Sequence, residues 1–225
     1  MDPTRPPDGA TTCVVVTGGD PIDPVVLDHL PADGYVIGVD SGVAHAAALG
    51  LHVDLAVGDF DSLAPEDLAE AQRAGAQVER HPRAKDATDL ELGLVAAVAT
   101  GADRIVVVGG QGGRLDHLLA NALLLAAPHL ADLVVEARMG EAWVTVARPG
   151  RTTTVTGSVG DIVSLLPVGG PATSVTTSGL AYPLDGGELA PGTTRGVSNE
   201  LTAPAATVTL EGGTLLVVKP GKVTL

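Results

Sequence analysis

The sequence predicts an α/β fold in two parts, a parallel sheet with crossover helices followed by an antiparallel β domain. As far as about Met139, short apolar runs alternate with helical stretches, which is typical of repeated β-α-β units. Beyond Met139 the apolar runs shorten and are separated by Gly, Pro and Thr, which is typical of an antiparallel sandwich or barrel. With 225 residues and 45% hydrophobic content, both parts can bury a core. We therefore expect domains at 13–139 and 140–225, after a disordered N-terminal tail at 1–12.

The first domain is expected to contain six strands and five helices. The strands are predicted near Cys13–Val16, Tyr35–Val39, Leu55–Val57, Gln77–Arg80, Arg104–Val108 and Leu133–Ala137. The helices are predicted near Pro24–Leu30, Gly42–Leu49, Pro65–Ala74, Asp89–Ala99 and Leu115–Ala127. Ligands of open parallel sheets bind beyond the carboxyl ends of the strands. The residues that directly follow each strand are therefore the ones to consider for a site.

The second domain is expected to consist of short strands. They are predicted near Ala142–Val146, Thr152–Thr156, Ile162–Leu166, Ser174–Thr177, Thr207–Leu210 and Thr214–Val218. The Glu211–Gly213 junction between the last two alternating runs predicts a hairpin. From their pattern alone, Ser178–Leu184 and Gly196–Glu200 are interpreted as turns rather than sites.

Composition excludes several classes of protein. The formal net charge is −14, with 27 acidic against 13 basic residues, and only 2% of residues are aromatic. A nucleic-acid surface needs clustered Lys and Arg or stacking aromatics, so we expect no nucleic-acid partner. We also expect no signal segment and no membrane span, since every apolar run is too short or interrupted. The single cysteine, Cys13, is predicted to be a buried, inert thiol, which suits a reduced cytoplasmic location.

Two carboxylates, Asp59 and Asp61, follow the apolar run Leu55–Val57 and stand one residue apart. Mg²⁺ prefers hard oxygen ligands of this kind, together with water and substrate phosphates. The alternative is structural, with Asp61 and Ser62 ending a strand ahead of a helix that begins at Pro65. Taken alone the pair favours the structural interpretation, but further polar clusters follow other predicted strands.

The second and fourth strands are also followed by charged or polar residues. Asp40 comes directly after Tyr35–Val39, where it is either a third site carboxylate or a helix cap. Thr88 and Glu91 form a capping box at the start of a helix, which accounts for both without a functional role. Lys85, Asp86 and Asp89 are not needed by that box. A Lys at a helix N-terminus suits an anionic ligand.

The fifth strand leads into a glycine-rich stretch, Gly109–Gly113, which matches neither the P-loop nor the dinucleotide fingerprint. In the helix that follows, apolar side chains recur at helical spacing and are predicted to form a buried stripe. The stripe consists of Leu115, Leu118, Leu119, Ala122, Leu123 and Ala126. A neighbouring face near the helix start carries Arg114, His117 and Asn121. This face is either a phosphate site or simply a solvated polar surface.

Taken together, these stretches resemble the thiamine pyrophosphokinase family over nearly the whole chain. The resemblance rests on short motifs in a fixed order. They are Asp40-Ser41-Gly42, Gly58–Leu63, Lys85–Asp89, Gly112–His117 with Asn121, Gly179–Leu184 and Ser198-Asn199-Glu200. It implies a Rossmann-like catalytic domain, a β-sandwich that binds thiamine, and a homodimer that transfers a diphosphoryl group from ATP to thiamine.

The resemblance also implies roles for individual residues. The acidic centre corresponds to Asp40, Asp59, Asp61 and Asp89, with Asp59 and Asp61 as Mg²⁺ ligands. The nucleotide and phosphate side corresponds to Lys85, Asp86, Thr88, Arg114, Asp116, His117 and Asn121. Ser198 and Asn199 match the element that contacts thiamine. Some family members stack an aromatic residue on thiamine, but no Trp follows Ser198-Asn199-Glu200 here, and the only Trp is Trp143.

Three other activities share parts of this pattern. A diphosphokinase acting on a pterin alcohol would use the same nucleotide machinery, but the Gly179–Leu184 and Ser198–Glu200 elements favour thiamine. A metal-dependent sugar-nucleotide transferase also uses Asp-x-Asp, but would leave the Arg114–Asn121 face without a role. A non-catalytic nucleotide or thiamine sensor is disfavoured by the four separate site carboxylates.

Overall fold

The computed structural model describes residues 12–221, and these divide into two compact units. The first unit runs up to Leu124 and also includes Asp132–Gly140. The second unit consists of Leu125–Ala131 and of the chain from Glu141 onward. Residues 1–11 of the predicted tail lie outside the described residues, and the first strand begins at Thr12. Within 12–221, no helix is long and apolar enough to span a membrane.

The first unit contains six parallel strands in one sheet, as the sequence predicts. Its strands are β1 (Thr12–Thr17), β2 (Tyr35–Val39), β3 (Leu55–Gly58), β4 (Gln77–Arg80), β5 (Arg104–Val108) and β6 (Val134–Met139). Their order is β6-β5-β1-β2-β3-β4. The central strands are mainly apolar because helices cover both faces of such a sheet, and every residue of β1 and β2 is buried, including Thr12 and Thr17. The strand order reverses between β1 and β5, where such sheets bind their ligands.

Four α-helices connect these strands. They are α1 (Gly42–Ala48), α2 (Pro65–Ala74), α3 (Asp89–Ala99) and α4 (Leu115–Leu124). Pro65 opens α2 and Gly75 ends it with a φ of 115°, which confirms the predicted bounds. The Thr88 side chain caps α3 by accepting a hydrogen bond from the Glu91 N–H at 3.3 Å, as expected for a helix N-cap.

Two predicted helices differ from the structure. Pro24–His29 forms a short 3₁₀ helix, and Leu30 is extended with a ψ of 144°. The α4 helix ends at Leu124 rather than Ala127, and Ala127 is likewise extended before Pro128, which opens a 3₁₀ turn, Pro128–Leu130. The cause is the same in both places, because a proline disfavours helical geometry in the residue before it.

The second unit contains eight strands in two antiparallel groups of four, which belong to different sheets. Its strands are β7 (Ala142–Ala147), β8 (Thr153–Thr156), β9 (Ile162–Pro167), β10 (Ala172–Ser178), β11 (Gly187–Leu189), β12 (Asn199–Glu200), β13 (Ala205–Thr209) and β14 (Leu215–Lys219). One group has the order β12-β9-β14-β7 and the other β11-β10-β13-β8. Residues from both sheets, among them Leu165, Leu189 and Val208, share one buried cluster. The sequence missed β11 and β12, which are only three and two residues long.

The predicted hairpin at Glu211–Gly213 is wrong. The strands on either side of it lie in different sheets, since β13 pairs with β8 and β10 whereas β14 pairs with β7 and β9. Gly212 forms a bridge with Thr173, and Gly213 has a φ of 83° and lies against the Pro171 carbonyl. Both strands bury alternate side chains in the shared core, and the chain therefore crosses from one sheet to the other.

Candidate functional site

Three carboxylates converge where β2 and β3 end. Asp40 follows β2, and Asp59 and Asp61 follow β3. One carboxylate oxygen from each residue lies within 4.8 Å of the others. Parallel strands direct their carboxyl ends to the same edge of a sheet. The convergence follows from the fold, although the residues are up to 21 positions apart.

The backbone at these strand ends is held in unusual conformations. Asp40 and Phe60 have φ angles of 49° and 61°, in the left-handed region that residues with side chains seldom adopt. The Asp40 N–H donates to the Val57 carbonyl at 2.9 Å, and the Asp61 N–H donates to Asp59 Oδ1 at 3.1 Å. At Gly58, which has a φ of 148°, a Cβ would come within 3.2 Å of both the Asp40 nitrogen and Asp89 Oδ1. A glycine at this position therefore lets the strand ends approach each other.

Lys85 and Asp89 complete this group of charges. Lys85 Nζ lies 2.9 Å from Asp59 Oδ2 and 2.9 Å from Asp89 Oδ1, and its side chain is only 12% exposed. Asp89, the first residue of α3, also accepts a hydrogen bond from the Asp59 N–H at 3.2 Å. The four predicted acidic residues thus surround one region, with Lys85 bridging two of them.

Burial and neighbouring charges shift the pKa values of this group in opposite directions. Burial raises the pKa of Asp40, and the charges of Asp89, Asp59 and Asp61 raise it further. The hydrogen bond from Lys85 lowers the pKa of Asp59. Burial lowers the pKa of Lys85, but its hydrogen bonds to Asp59 and Asp89 outweigh burial and leave it raised. Asp59, Lys85 and their partners therefore form a charged network at neutral pH.

The residues present fit a hard divalent cation. The oxygens of Asp40, Asp59 and Asp61 make up an all-carboxylate donor set of the kind that Mg²⁺ uses. Asp40 Oδ1 is buried and has no hydrogen-bond partner among the described residues, which is costly for a polar atom unless a ligand meets it. The structural alternative for Asp40 is not supported, because Ser41 holds the N-cap position of α1 and no side chain caps that helix.

The glycine-rich loop after β5 packs against the loop after β1. The Gly110 N–H donates to the Gly18 carbonyl at 2.8 Å, and the Asp20 N–H donates to the Gln111 carbonyl. A Cβ on Gly109 would come within 2.4 Å of the Thr17 carbonyl oxygen. The glycines therefore allow the loop after β5 to pack closely against the loop after β1, at the point where the strand order reverses.

The predicted orientation of α4 is wrong. Leu115, Leu119 and Leu123 are 69%, 55% and 56% exposed, whereas Asn121 is buried. The Asn121 side chain donates from Nδ2 to the Gly110 carbonyl at 3.1 Å. This bond ties the helix to the glycine-rich loop, and Asn121 therefore faces inward and part of the leucine stripe faces solvent.

The other residues predicted on the phosphate side are exposed. Arg114 Nε donates to Asp116 Oδ1 at 3.1 Å, and this pairing lowers the pKa of Asp116 to about 2. His117 is exposed in the first turn of α4, whereas Asn121, one turn further along the same helix, is buried. Asp86 is exposed, and Thr88 is occupied as the cap of α3.

In the second unit, Asn199 joins the two motifs that the sequence singled out. Its side chain accepts a hydrogen bond from the Tyr182 N–H at 3.0 Å and donates to the Tyr182 carbonyl at 2.7 Å. Asn199 is buried, whereas the Tyr182 side chain is 70% exposed. Ser198 is exposed, with a φ of 58°, and its N–H donates to Ser164 Oγ at 3.1 Å. The two motifs therefore form one local structure that presents an aromatic ring and a hydroxyl.

Sequence reasoning missed two arginines beside the carboxylates. Arg83 Nε lies 3.1 Å from Asp61 Oδ2. Arg80 donates to the Asp59 carbonyl and lies over the Phe60 ring. The signal that could have found Arg80 is its place at the end of the fourth strand, in register with Gly58.

Comparisons with known proteins agree across both units. Residues 28–135 match the family model of the thiamin pyrophosphokinase catalytic domain, and residues 152–215 match that of the thiamin pyrophosphokinase vitamin B1 binding domain. The chain is 26% identical to the thiamine pyrophosphokinase of Bacillus subtilis (strain 168) over 93% of this chain and 98% of that protein. The crystal structure of the Bacillus subtilis protein has a TM-score of 0.82 at 27% identity, over 94% and 100% of the two chains. The Geobacillus thermodenitrificans structure has a TM-score of 0.79 at 32% identity, over 95% and 99%.

Proposed function

This chain belongs to the thiamin pyrophosphokinase family, and from that premise we propose that it transfers the diphosphoryl group of ATP to the hydroxyl of thiamine. The products are thiamine diphosphate and AMP. The observation that carries the proposal is the convergence of the Asp40, Asp59 and Asp61 oxygens, with Lys85 beside them, inside the region that matches the catalytic-domain model.

The two parts of the chain divide the work. Residues 13–139 form the Rossmann-like catalytic domain that binds the nucleotide, and residues 140–225 form a β-sandwich that binds thiamine. The catalytic-domain match at 28–135 and the vitamin B1 match at 152–215 support this division. The core shared by the two antiparallel sheets supports the sandwich. The cytoplasmic location expected from the single thiol is part of the same proposal.

Asp59 and Asp61, with Asp40, would hold Mg²⁺, whose charge neutralises phosphate oxygens when it is bound. Lys85 orients Asp59 and Asp89 through its two 2.9 Å contacts and adds a positive charge beside the triphosphate. Phosphoryl transfer depends on alignment and on stabilisation of charged oxygens more than on covalent chemistry. This acidic group also attracts the thiazolium cation of the acceptor.

Attack by the thiamine hydroxyl falls on the β-phosphorus, with AMP leaving in line. The hydroxyl proton needs an acceptor, for which the sequence offers Asp40, Asp89 and Asp116. Asp116 is a weaker base than Asp40, because Arg114 holds the pKa of Asp116 at about 2 whereas burial raises the pKa of Asp40. The acceptor is then Asp40 or Asp89, which lie within the carboxylate group.

The nucleotide side includes the residues at the starts of α3 and α4. Lys85, Asp86 and Thr88 precede α3, and Arg114, Asp116 and His117 begin α4. The exposed side chains of Arg114 and His117 are accessible to phosphate oxygens. Asn121 acts indirectly, by fixing the glycine-rich loop through the Gly110 carbonyl.

We assign the thiamine contacts to Ser198 and to the Gly179–Leu184 motif, which Asn199 links to Ser198. Asn199 uses its amide to fix the Tyr182 backbone, so it positions the site rather than contacting the ring directly. Tyr182 is 70% exposed and supplies the aromatic surface for stacking. Trp143 is less suited, since it lies in β7 and its Nε1 donates to Thr145 Oγ1.

A homodimer is part of the proposal. The exposed leucines of α4, Leu115, Leu119 and Leu123, lie on one face and form an apolar surface that a second copy would cover. Sedimentation velocity of the purified protein tests this, with Leu119→Lys expected to shift a dimer toward monomer. A monomeric wild-type protein would contradict the proposal.

The main test of function is incubation with Mg·ATP and either thiamine or a pterin alcohol, followed by detection of AMP and of the diphosphorylated acceptor. We expect AMP and thiamine diphosphate only when thiamine is present. AMP formation with the pterin alcohol alone would refute the assignment of the acceptor. Absence of AMP with either acceptor would refute diphosphoryl transfer.

A further inference from the structure

The turn Asp59–Phe60–Asp61 is the segment that sets the direction of both proposed metal ligands. Its central residue, Phe60, has a φ of 61°. This left-handed conformation is unfavourable for a bulky side chain and persists only where surrounding contacts enforce it. In this conformation the Asp61 N–H donates to Asp59 Oδ1 at 3.1 Å, and oxygens of the two flanking carboxylates lie within 4.8 Å of each other. Some contact outside the turn must therefore maintain it.

Arg80 makes two contacts with this turn. Its Nη1 donates to the Asp59 carbonyl oxygen at 3.0 Å. Its guanidinium carbon also lies 4.9 Å from the centre of the Phe60 ring, within the range of a cation–π contact. One planar guanidinium group thus contacts both the carbonyl that precedes Phe60 and the face of the Phe60 ring.

The surroundings of Arg80 keep it in place. It ends the edge strand β4, directly opposite Gly58 in the parallel pairing with β3. The His81 N–H, next along the chain, donates to the Gly58 carbonyl at 2.9 Å. On the other side of the contact, Phe60 is only 8% exposed and belongs to the core cluster of the first unit. The backbone of Arg80 is therefore anchored in the sheet, and the ring of Phe60 is anchored in the core.

We propose that Arg80 is a positioning residue, which locks the Asp59–Phe60–Asp61 turn in its left-handed conformation and so presents both carboxylates to one divalent cation. The inference rests on the proposed function, because it takes Asp59 and Asp61 as metal ligands. It gives Arg80 a role in metal affinity although the side chain carries a positive charge.

Because Arg80 is positively charged, the direction in which metal affinity changes on its removal tests the proposal. A cation near a metal site repels the metal, so an arginine acting through charge alone would weaken metal binding, and its removal would strengthen it. If the arginine instead positions the ligands, its removal weakens metal binding. Arg83 provides the matched control. It pairs with Asp61 Oδ2 at 3.1 Å and is 83% exposed, but within residues 12–221 it forms no hydrogen bond with the backbone of the turn.

The experiment measures Mn²⁺ affinity of the nucleotide-free protein by electron paramagnetic resonance, which does not depend on turnover. We expect Arg80→Ala to weaken Mn²⁺ binding by about threefold to tenfold, as expected when one contact that enforces a strained conformation is lost. Arg83→Ala should leave Mn²⁺ binding unchanged or tighter. Arg80→Lys should restore part of the affinity, because an ammonium can also reach a carbonyl and an aromatic face.

Circular dichroism and thermal unfolding accompany each variant, and Arg80→Met, which keeps an unbranched side chain but has no donor and no charge, is measured in parallel in case the alanine variant does not fold. Unchanged or tighter Mn²⁺ binding in folded Arg80→Ala or Arg80→Met would overturn the positioning role and leave the proposed function intact. A wild-type protein that binds no Mn²⁺ would instead overturn the metal site itself.

Discussion

Replacing Asp61 by Asn separates the activity of this protein from its stability. The substitution removes one negative charge from the carboxylate group and keeps an oxygen that can accept the 2.9 Å hydrogen bond from Ser62 Oγ. We expect turnover to fall about 10²-fold or more, comparable to the loss of one preorganised electrostatic contact in an active site. The concentration of Mg²⁺ needed for half-maximal activity should rise as well.

The effect on stability should be small and of the opposite sign. Carboxylate oxygens of Asp40, Asp59 and Asp61 lie within 4.8 Å of one another. At that separation two unit charges repel by about 0.9 kcal/mol in water and about 3.5 kcal/mol at an effective dielectric constant of 20. The Asp61 side chain is 38% exposed, so the lower figure applies. The substitution also removes the exposed ion pair between Asp61 and Arg83, which costs about 0–1 kcal/mol. This cost offsets the gain from reduced carboxylate repulsion, so the free energy of unfolding should be unchanged or slightly raised.

The assay follows AMP and thiamine diphosphate at limiting and saturating Mg²⁺, beside thermal unfolding of the same preparations. Asp103→Asn is the matched control. This exposed carboxylate directly precedes β5, so it lies at the amino ends of the parallel strands, whereas the site lies at their carboxyl ends. Wild-type turnover of the Asp61 variant at limiting Mg²⁺ would refute the metal role. A loss of stability well beyond that of the control would show that Asp61 is structural.

Four further predictions concern the second unit and the core. Ser198→Ala should raise the KM for thiamine more than the KM for ATP in steady-state kinetics, and equal effects would contradict its assignment. Tyr182→Ala should likewise raise the KM for thiamine, whereas Tyr182→Phe should retain the wild-type value because the stacking surface is kept. Asn199→Ala should cost about 1–3 kcal/mol in urea unfolding, because the Tyr182 N–H and carbonyl lose their partners. Burial raises the pKa of Cys13 to about 12, so iodoacetamide at pH 8.5 should modify this thiol only after denaturation. The stability that comes from keeping the thiol neutral is complete below the ordinary pKa of cysteine and declines as pH rises toward 12.

The parallel sheet could be predicted from local pattern, whereas the acidic centre was assigned from the family resemblance, with which a general rule of parallel sheets agrees. Fully apolar runs separated by helices specify buried parallel strands, and the carboxyl ends of such strands lie at one edge. Asp40, Asp59 and Asp89 are therefore expected to be neighbours without any knowledge of side-chain contacts. The structure brings them together in this way.

The orientation of α4 could not be predicted in the same way. Leucine or alanine occupies so many positions of this helix that several faces are apolar, and periodicity alone does not choose between them. The choice depends on the hydrogen bond from Asn121 to the Gly110 carbonyl, which joins residues eleven positions apart. The crossing at Glu211–Gly213 was missed for a similar reason, since alternation indicates which side chains are buried but not which sheet a strand joins.

Backbone conformation connects the predicted site motifs to one another. Within residues 12–221, four residues other than glycine have a positive φ, and three of them, Asp40, Phe60 and Ser198, lie in motifs assigned to the site. Such conformations cost of order 1–3 kcal/mol each and persist where neighbouring contacts enforce them. At Asp40 and Phe60 the enforcing contacts come from the sheet, through the Val57 carbonyl and Arg80. At Ser198 the contact comes from Ser164 Oγ in β9. The strands thus maintain strained turns in the motifs proposed to bind ligands, and substitutions that relax these turns should lower Mn²⁺ or thiamine affinity in binding assays without unfolding the protein.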